Sequence, residues 1–191
     1  KGSIANLRAS SNIQMRGAVI AANKERTDRF PLNADVRVNY DGPRNLITVP
    51  AGNIQLPATT ITAQGEISNN SNLVIKAVST NLHQLMLLAS GLQSSPNGQS
   101  SSASTLSSLQ GAMTLNAQVQ GSMKNPRVTA QLAATRLQVN QGQFSSLQLA
   151  MTASPSGVTI QNGSLNALPR GQIQFNAKAG LKRWAYQPDG P

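Results

Sequence analysis

The chain has no cysteine, a single histidine, almost no aromatic residues and a marked shortage of acids. Without cysteine there is neither a disulfide framework nor a thiolate metal site, and one imidazole, His83, cannot build a multi-histidine one. Aromatics make up 3% of residues (Phe30, Tyr40, Phe144, Phe175, Trp184 and Tyr186), so any apolar interior must be aliphatic. Apolar residues reach only 39%, and a single compact core built from them would be thin. The acids Glu25, Asp28, Asp35, Asp41, Glu66 and Asp189 form no evident general acid–base pair along the chain. No serine sits in a nucleophile elbow, and no glycine run has the spacing or trailing lysine of a phosphate-binding loop. These absences point away from an enzyme, and the expectation is no cofactor and no bound metal. No window approaches the length of a membrane-spanning helix.

Charge is sparse but lopsided, with 16 Lys and Arg against 6 Asp and Glu for a formal +10, and no acid falls between Glu66 and Asp189. Nucleic-acid binding calls for clustered cations interleaved with aromatic stacking platforms. Here Arg37, Arg44, Lys76, Arg127, Arg136, Arg170 and Lys178 are scattered singly, so the expectation is a basic solvated face and no nucleic-acid partner.

What the chain has in quantity is alternation. Met113, Leu115, Ala117 and Val119 take every second place, with Thr114, Asn116, Gln118 and Gln120 between them. Successive side chains on a strand point to opposite faces, so this spacing gives one apolar face and one amide-rich polar face. The pattern returns at Leu32–Tyr40, Val128–Leu132, Leu137–Val139, Leu147–Ala153 and Ile173–Ala177. It predicts an all-β, mainly antiparallel fold. Short strands are expected at 4–19, Phe30–Tyr40, Leu46–Val49, Gly52–Leu56, Thr60–Ile67 and Leu73–Val78. Asp41-Gly42-Pro43 and Asn69-Asn70-Ser71-Asn72 supply turn chemistry. Asn69-Asn70-Ser71 and Asn162-Gly163-Ser164 match the glycosylation acceptor pattern, and both are expected in turns. Lys24 to Arg29 reads as a solvated loop of mixed charge.

One stretch departs from the period of two. Leu82, Leu85, Met86, Ala89 and Leu92 fall at helical spacing, with Thr80 or Asn81 as the N-cap, so a short amphipathic helix is expected over about 80–92. The organisation expected is then a β-rich segment 1–93 ending in that helix, a Ser-rich linker or loop 94–108, a second β-rich segment 109–181, and a tail 182–191. The two β-rich segments share a register. Leu32-Asn33-Ala34 with Pro43-Arg44 matches Leu115-Asn116-Ala117 with Pro126-Arg127 at a constant offset of 83 (115 − 32 and 126 − 43). Fixed-period self-similarity marks repeated strand–turn–strand units. An aliphatic sheet face has to be covered. A second sheet would make a closed sandwich, whereas a curved sheet would leave a groove, and alternation alone is the same for both.

Gly111 to Gly121 followed by Ser122-Met123-Lys124-Asn125-Pro126-Arg127-Val128 resembles a unit that recurs in the TamB and AsmA-like envelope proteins. That unit alternates glycine-led hydrophobic strands with an Asn-Pro turn. Leu147-Gln148-Leu149, Val158 to Gly163 and Gly171 to Phe175 continue in the same style, as does Ile54 to Ile67. The resemblance covers most of the chain outside the Ser-rich run. It implies a curved, taco-like β-groove with a greasy interior, and a non-enzymatic segment of a longer, inner-membrane-anchored periplasmic protein, which fits a chain that opens at Lys1 without an initiator Met. It further implies phospholipid or unfolded outer-membrane protein strands as cargo, and an outer-membrane barrel as partner. The family has no catalytic residue to carry over. The positions implied to line the groove are Met113, Leu115, Val119, Val128, Leu132, Leu137, Val139, Leu147, Leu149, Met151, Ile173 and Phe175. The competing expectation is a structural or adhesive extracellular β-sandwich repeat with the same residues in a closed core.

Overall fold

The structure is a computed structural model that describes residues 6–21, 29–85, 109–139, 142–182 and 185–186. The loop at 24–28, most of the expected helix beyond residue 85, the Ser-rich run 94–108 and Trp184 lie outside the described residues.

The alternating runs become eleven strands: β1 (Arg8–Ala21), β2 (Arg29–Asp41), β3 (Leu46–Leu56), β4 (Thr59–Ile67), β5 (Ser71–Ser79), β6 (Gln110–Ser122), β7 (Asn125–Val139), β8 (Gly142–Ser154), β9 (Gly157–Ala167), β10 (Gln172–Lys182) and the two-residue β11 (Ala185–Tyr186). Their spatial order is their order in the chain, every pair is antiparallel, and the sheet stays open. Turn chemistry explains this meander. Asn45 with φ 49° closes the β2–β3 turn, Ser68 and Ser71 side chains close the β4–β5 turn, and Asn125 N donates to Ser122 Oγ at the β6–β7 turn. Short polar turns of this kind make each strand pair with its predecessor.

The ladder runs through the boundary between the two β-rich segments without a break. Ser71↔Gly121 to Ser79↔Met113 pair in continuous register, so the residues between β5 and β6 are an insertion at one rim of a hairpin. The offset of 83 is a four-strand translation. It carries β2 onto β6 and β3 onto β7, with Leu56 and Val139 as corresponding strand ends (139 − 56). It also carries the start of β4 at Thr59 onto the start of β8 at Gly142 (142 − 59).

Two expectations need correction. Leu46–Val49 and Gly52–Leu56 are one strand, because Pro50 is absorbed at register shifts, between Val49 and Gly52 toward β4 and between Thr48 and Ala51 toward β2, where a residue without an N–H is tolerated. Asn162-Gly163-Ser164 lies inside β9 and not in a turn. Asn162 adopts φ 53° as the extra residue of a bulge, and its N–H donates to Asn176 Oδ1 at 3.0 Å. Gly17, at φ 64° in the β1 bulge, uses the same device with Asn33 Oδ1 at 3.0 Å. Bulges bend the strand that carries them and increase its twist. Register shifts recur in β1–β2, β2–β3, β3–β4, β6–β7, β8–β9 and β9–β10, giving an open sheet of the curved-groove kind.

Among the described residues no second sheet covers the apolar face, and strands beyond nearest neighbours touch only sporadically. The core is correspondingly dispersed. One cluster joins Leu32 and Leu56 with Phe30, Ile54 and Ile61. The other joins Leu82, Ala134 and Leu137 with Met113, Phe144, Leu147 and Leu165.

Candidate functional site: an uncovered apolar face

Cross-strand pairing carries the alternation from strand to strand. One row reads Met15, Ala34, Ile54, Ile61, Ala77, Leu115, Leu132 and Leu149 from β1 to β8. A second reads Val49, Gly65, Leu73, Val119, Val128, Ala153, Val158 and Ala179 from β3 to β10. At about 4.8 Å between strands, ten strands give a continuous aliphatic strip of about 43 Å. Thr, Gln and Asn occupy the opposite face, where pairs such as Gln118 Nε2 to Asn72 Oδ1 at 2.8 Å bridge strands.

The structure brings all twelve expected lining residues to this one face. Met113 pairs with Ala134, Leu115 with Leu132, Val119 with Val128, Leu137 with Phe144, and Val139 with Gly142. Leu147 faces Leu165, which faces Ile173, while Met151 faces Ile160 and Phe175 faces Gly163. Leu137 is buried and Ile173 is 54% exposed. The other ten are half-buried, as expected for side chains that touch neighbours along a sheet but have no layer above them. The Phe175 ring packs against Gly163, where a Cβ would stand 2.6 Å from it.

The same apolar face extends beyond the twelve expected positions. Leu32, Ala34, Val36, Ile54, Ile61, Leu73 and Ile75 extend the face across β2 to β5, and the alternation from Leu32 to Tyr40 carries that signal in the sequence. Leu82 and Leu85 join this face from outside the sheet. Asn81 caps the helical turn at residues 82–85 by accepting from His83 N at 3.0 Å, and Leu82 packs down on Ala134 and Leu137. The turn is fastened by polar groups. Ala58, between β3 and β4, donates its N–H to Gln84 Oε1 at 2.9 Å and accepts from Thr80 N at 2.8 Å. Beneath lie the buried hydroxyls of Thr59 and Ser79, 2.8 Å apart. Ser79 gives its one proton to the Asn81 carbonyl at 2.8 Å, so Thr59 is the donor to Ser79.

Asp41, at the rim opposite the helical turn, has Arg8 Nε at 3.5 Å and Arg44 Nε at 3.8 Å. Both arginines are largely exposed, and such pairs contribute about 0–1 kcal/mol. Among the described residues no group of three His, Asp or Glu side chains converges as metal ligands would. No helix of the described residues is long and apolar enough to cross a membrane. The arrangement offers a hydrocarbon-like surface along one face, flanked by polar turns. No family model matches the chain, and no curated protein or solved structure gives a significant match to it.

Proposed function

We propose that this chain is a non-enzymatic periplasmic segment of a TamB-like protein, and that its apolar face shields lipid acyl chains in transit between the inner and outer membranes. In the same reading it supports outer-membrane protein assembly alongside a barrel partner, and unfolded outer-membrane strands are its second class of cargo. The observation that carries this reading is the aliphatic strip that crosses ten strands with, among the described residues, no second sheet over it. The Asn-Pro strand–turn–strand units supply the likeness to the family. Each methylene removed from water contributes about 0.8 kcal/mol, so such a strip holds hydrocarbon without polar contacts in fixed positions. That tolerance suits a degenerate repeat.

Native mass spectrometry of the purified chain, with lipid extraction of the same sample, tests the reading. Phospholipid should co-purify and should be lost from a folded Leu149→Asp variant, because Leu149 sits on the apolar face about midway along β8. A lipid-free chain that also ignores added short-chain phospholipid would overturn the proposal.

A further inference from the structure

Among the described residues, the helical turn 82–85 is what lies on the apolar face from outside the sheet. There Leu82 is 4% exposed and Ala134 beneath it 3%, the least exposed apolar side chain among the described residues. Met113, Phe144 and Leu147 pack around them. The most enclosed apolar position of the sheet among the described residues is therefore one covered by a branched aliphatic side chain from outside the sheet, so that Leu82 fills a recess over Ala134. Beside it, Thr80, Asn81, His83, Gln110 and Gly111 line an open polar depression of about 490 Å³. The two adjoin directly, since a Cβ at Gly111 would stand 3.1 Å from Leu137 Cδ2. A recess that accepts hydrocarbon, opening beside a mouth of amide, hydroxyl and backbone groups, suits a ligand with one apolar tail and one polar head.

We propose that this recess is an acyl-chain site for a single-chain amphiphile, a fatty acid or a lysophospholipid, and that Leu82 occupies it when no ligand is bound. The proposal rests on the groove reading above and names one position and one ligand class within it. The fastening of the turn sets the terms of exchange. Gln84 and Thr80 hold the turn by its polar side through Ala58, so Leu82 can leave the recess by a local rearrangement while the turn stays attached. Ligand and Leu82 then compete, and the apparent affinity is reduced by the fraction of time the recess is vacant. Shortening Leu82 removes the competitor.

Spin-labelled stearic acid added to the methyl-labelled, unsubstituted chain tests the location by NMR. The Leu137 and Leu147 methyl signals should broaden before those of Leu32 and Leu56, which belong to the separate cluster at the other end of the sheet. A fluorescence titration with dansylated undecanoic acid tests the competition. Leu82→Ala should bind about tenfold tighter, the factor that 1.4 kcal/mol represents, and adding Ala134→Trp to fill the recess should erase the gain. Displacement of the probe by stearate or by lysophosphatidylcholine supports the site and tells a carboxylate head from a phosphate ester. Broadening centred on Leu32 and Leu56 would overturn the recess while leaving the groove reading in place. No broadening anywhere would overturn both. Unchanged affinity in a folded Leu82→Ala chain would remove Leu82 as the resident. If that variant does not fold, the NMR result on the unsubstituted chain decides alone.

Discussion

At the scale of single residues, backbone geometry and burial separate positions that look alike in sequence. Gly65 sits within β4 at φ 137°, and a Cβ there would collide with the Asn72 carbonyl oxygen and stand 2.8 Å from Leu73 Cα. Gly65→Ala should cost about 2 kcal/mol or more in urea denaturation, since sparsely populated φ values and backbone clashes each cost about 1–3 kcal/mol. Gly180, near the end of β10, has nothing within 4 Å of its Cβ position. Gly180→Ala should be neutral or stabilise by up to about 1 kcal/mol through the unfolded chain, and equal losses at both sites would refute the assignment. Aspartate at two apolar positions provides a second contrast. Leu149 is half-buried on the open face, where a carboxylate keeps much of its hydration, so Leu149→Asp should leave a folded chain weakened by about 1 kcal/mol. Ala134 is enclosed beneath the helical turn, and Ala134→Asp places an unpaired charge there at about 3 kcal/mol or more. Thermal melts of the two variants measure the difference.

At the scale of elements, the junction of β4, β5 and the helical turn depends on one hydroxyl. Ser79 Oγ accepts from Thr59, donates to the Asn81 carbonyl, and accepts from Asn81 N at 3.2 Å. Ser79→Ala removes all three bonds and leaves the buried Thr59 hydroxyl without its acceptor. A loss of about 2–3 kcal/mol is expected, because a buried polar group stripped of its partner costs about 1–3 kcal/mol. Adding Thr59→Val should recover part of that loss, since no orphaned hydroxyl then remains. A double-mutant cycle by chemical denaturation measures the coupling, and strict additivity would show that the two hydroxyls do not act as a pair. The helical turn itself was half legible. Its N-cap and the Leu82–Leu85 spacing could be read from residues 80–85. Its seat over β6 to β9 could not, because that cluster joins Leu82 to residues of those strands from 31 (113 − 82) to 83 (165 − 82) positions away.

At the scale of the whole molecule, each strand depends on its two neighbours and on little else. Stability in such an array is a sum of unit and nearest-neighbour terms, as in repeat proteins. Amide exchange should therefore be graded, with β1 and β10 least protected and β4 to β8 most. Uniform protection across all ten long strands would mean that something covers the sheet and couples it globally. β1 also concentrates exposed apolar side chains, with Ile13, Met15 and Val19 on one edge strand, so its opening should lead the exchange.

Local chemistry in the sequence determined where the strands are, which side of each is apolar, and where most of them turn. A period of two and the turn preferences of Asn, Gly, Ser and Pro act over a few residues and can be read there. The offset of 83 likewise marked repeated strand–turn–strand units, and the strand order made it a translation by four strands. Tertiary structure decided what alternation cannot encode. It joined the two β-rich segments in one ladder through Ser71↔Gly121, and it absorbed Pro50 and Asn162 as bulges inside strands. It also left the aliphatic face without a second sheet among the described residues. A closed sandwich and an open groove demand the same residues at the same spacing. They differ only in whether strands far apart in the chain face one another, and that balance of long-range contact against chain entropy is struck by the fold as a whole.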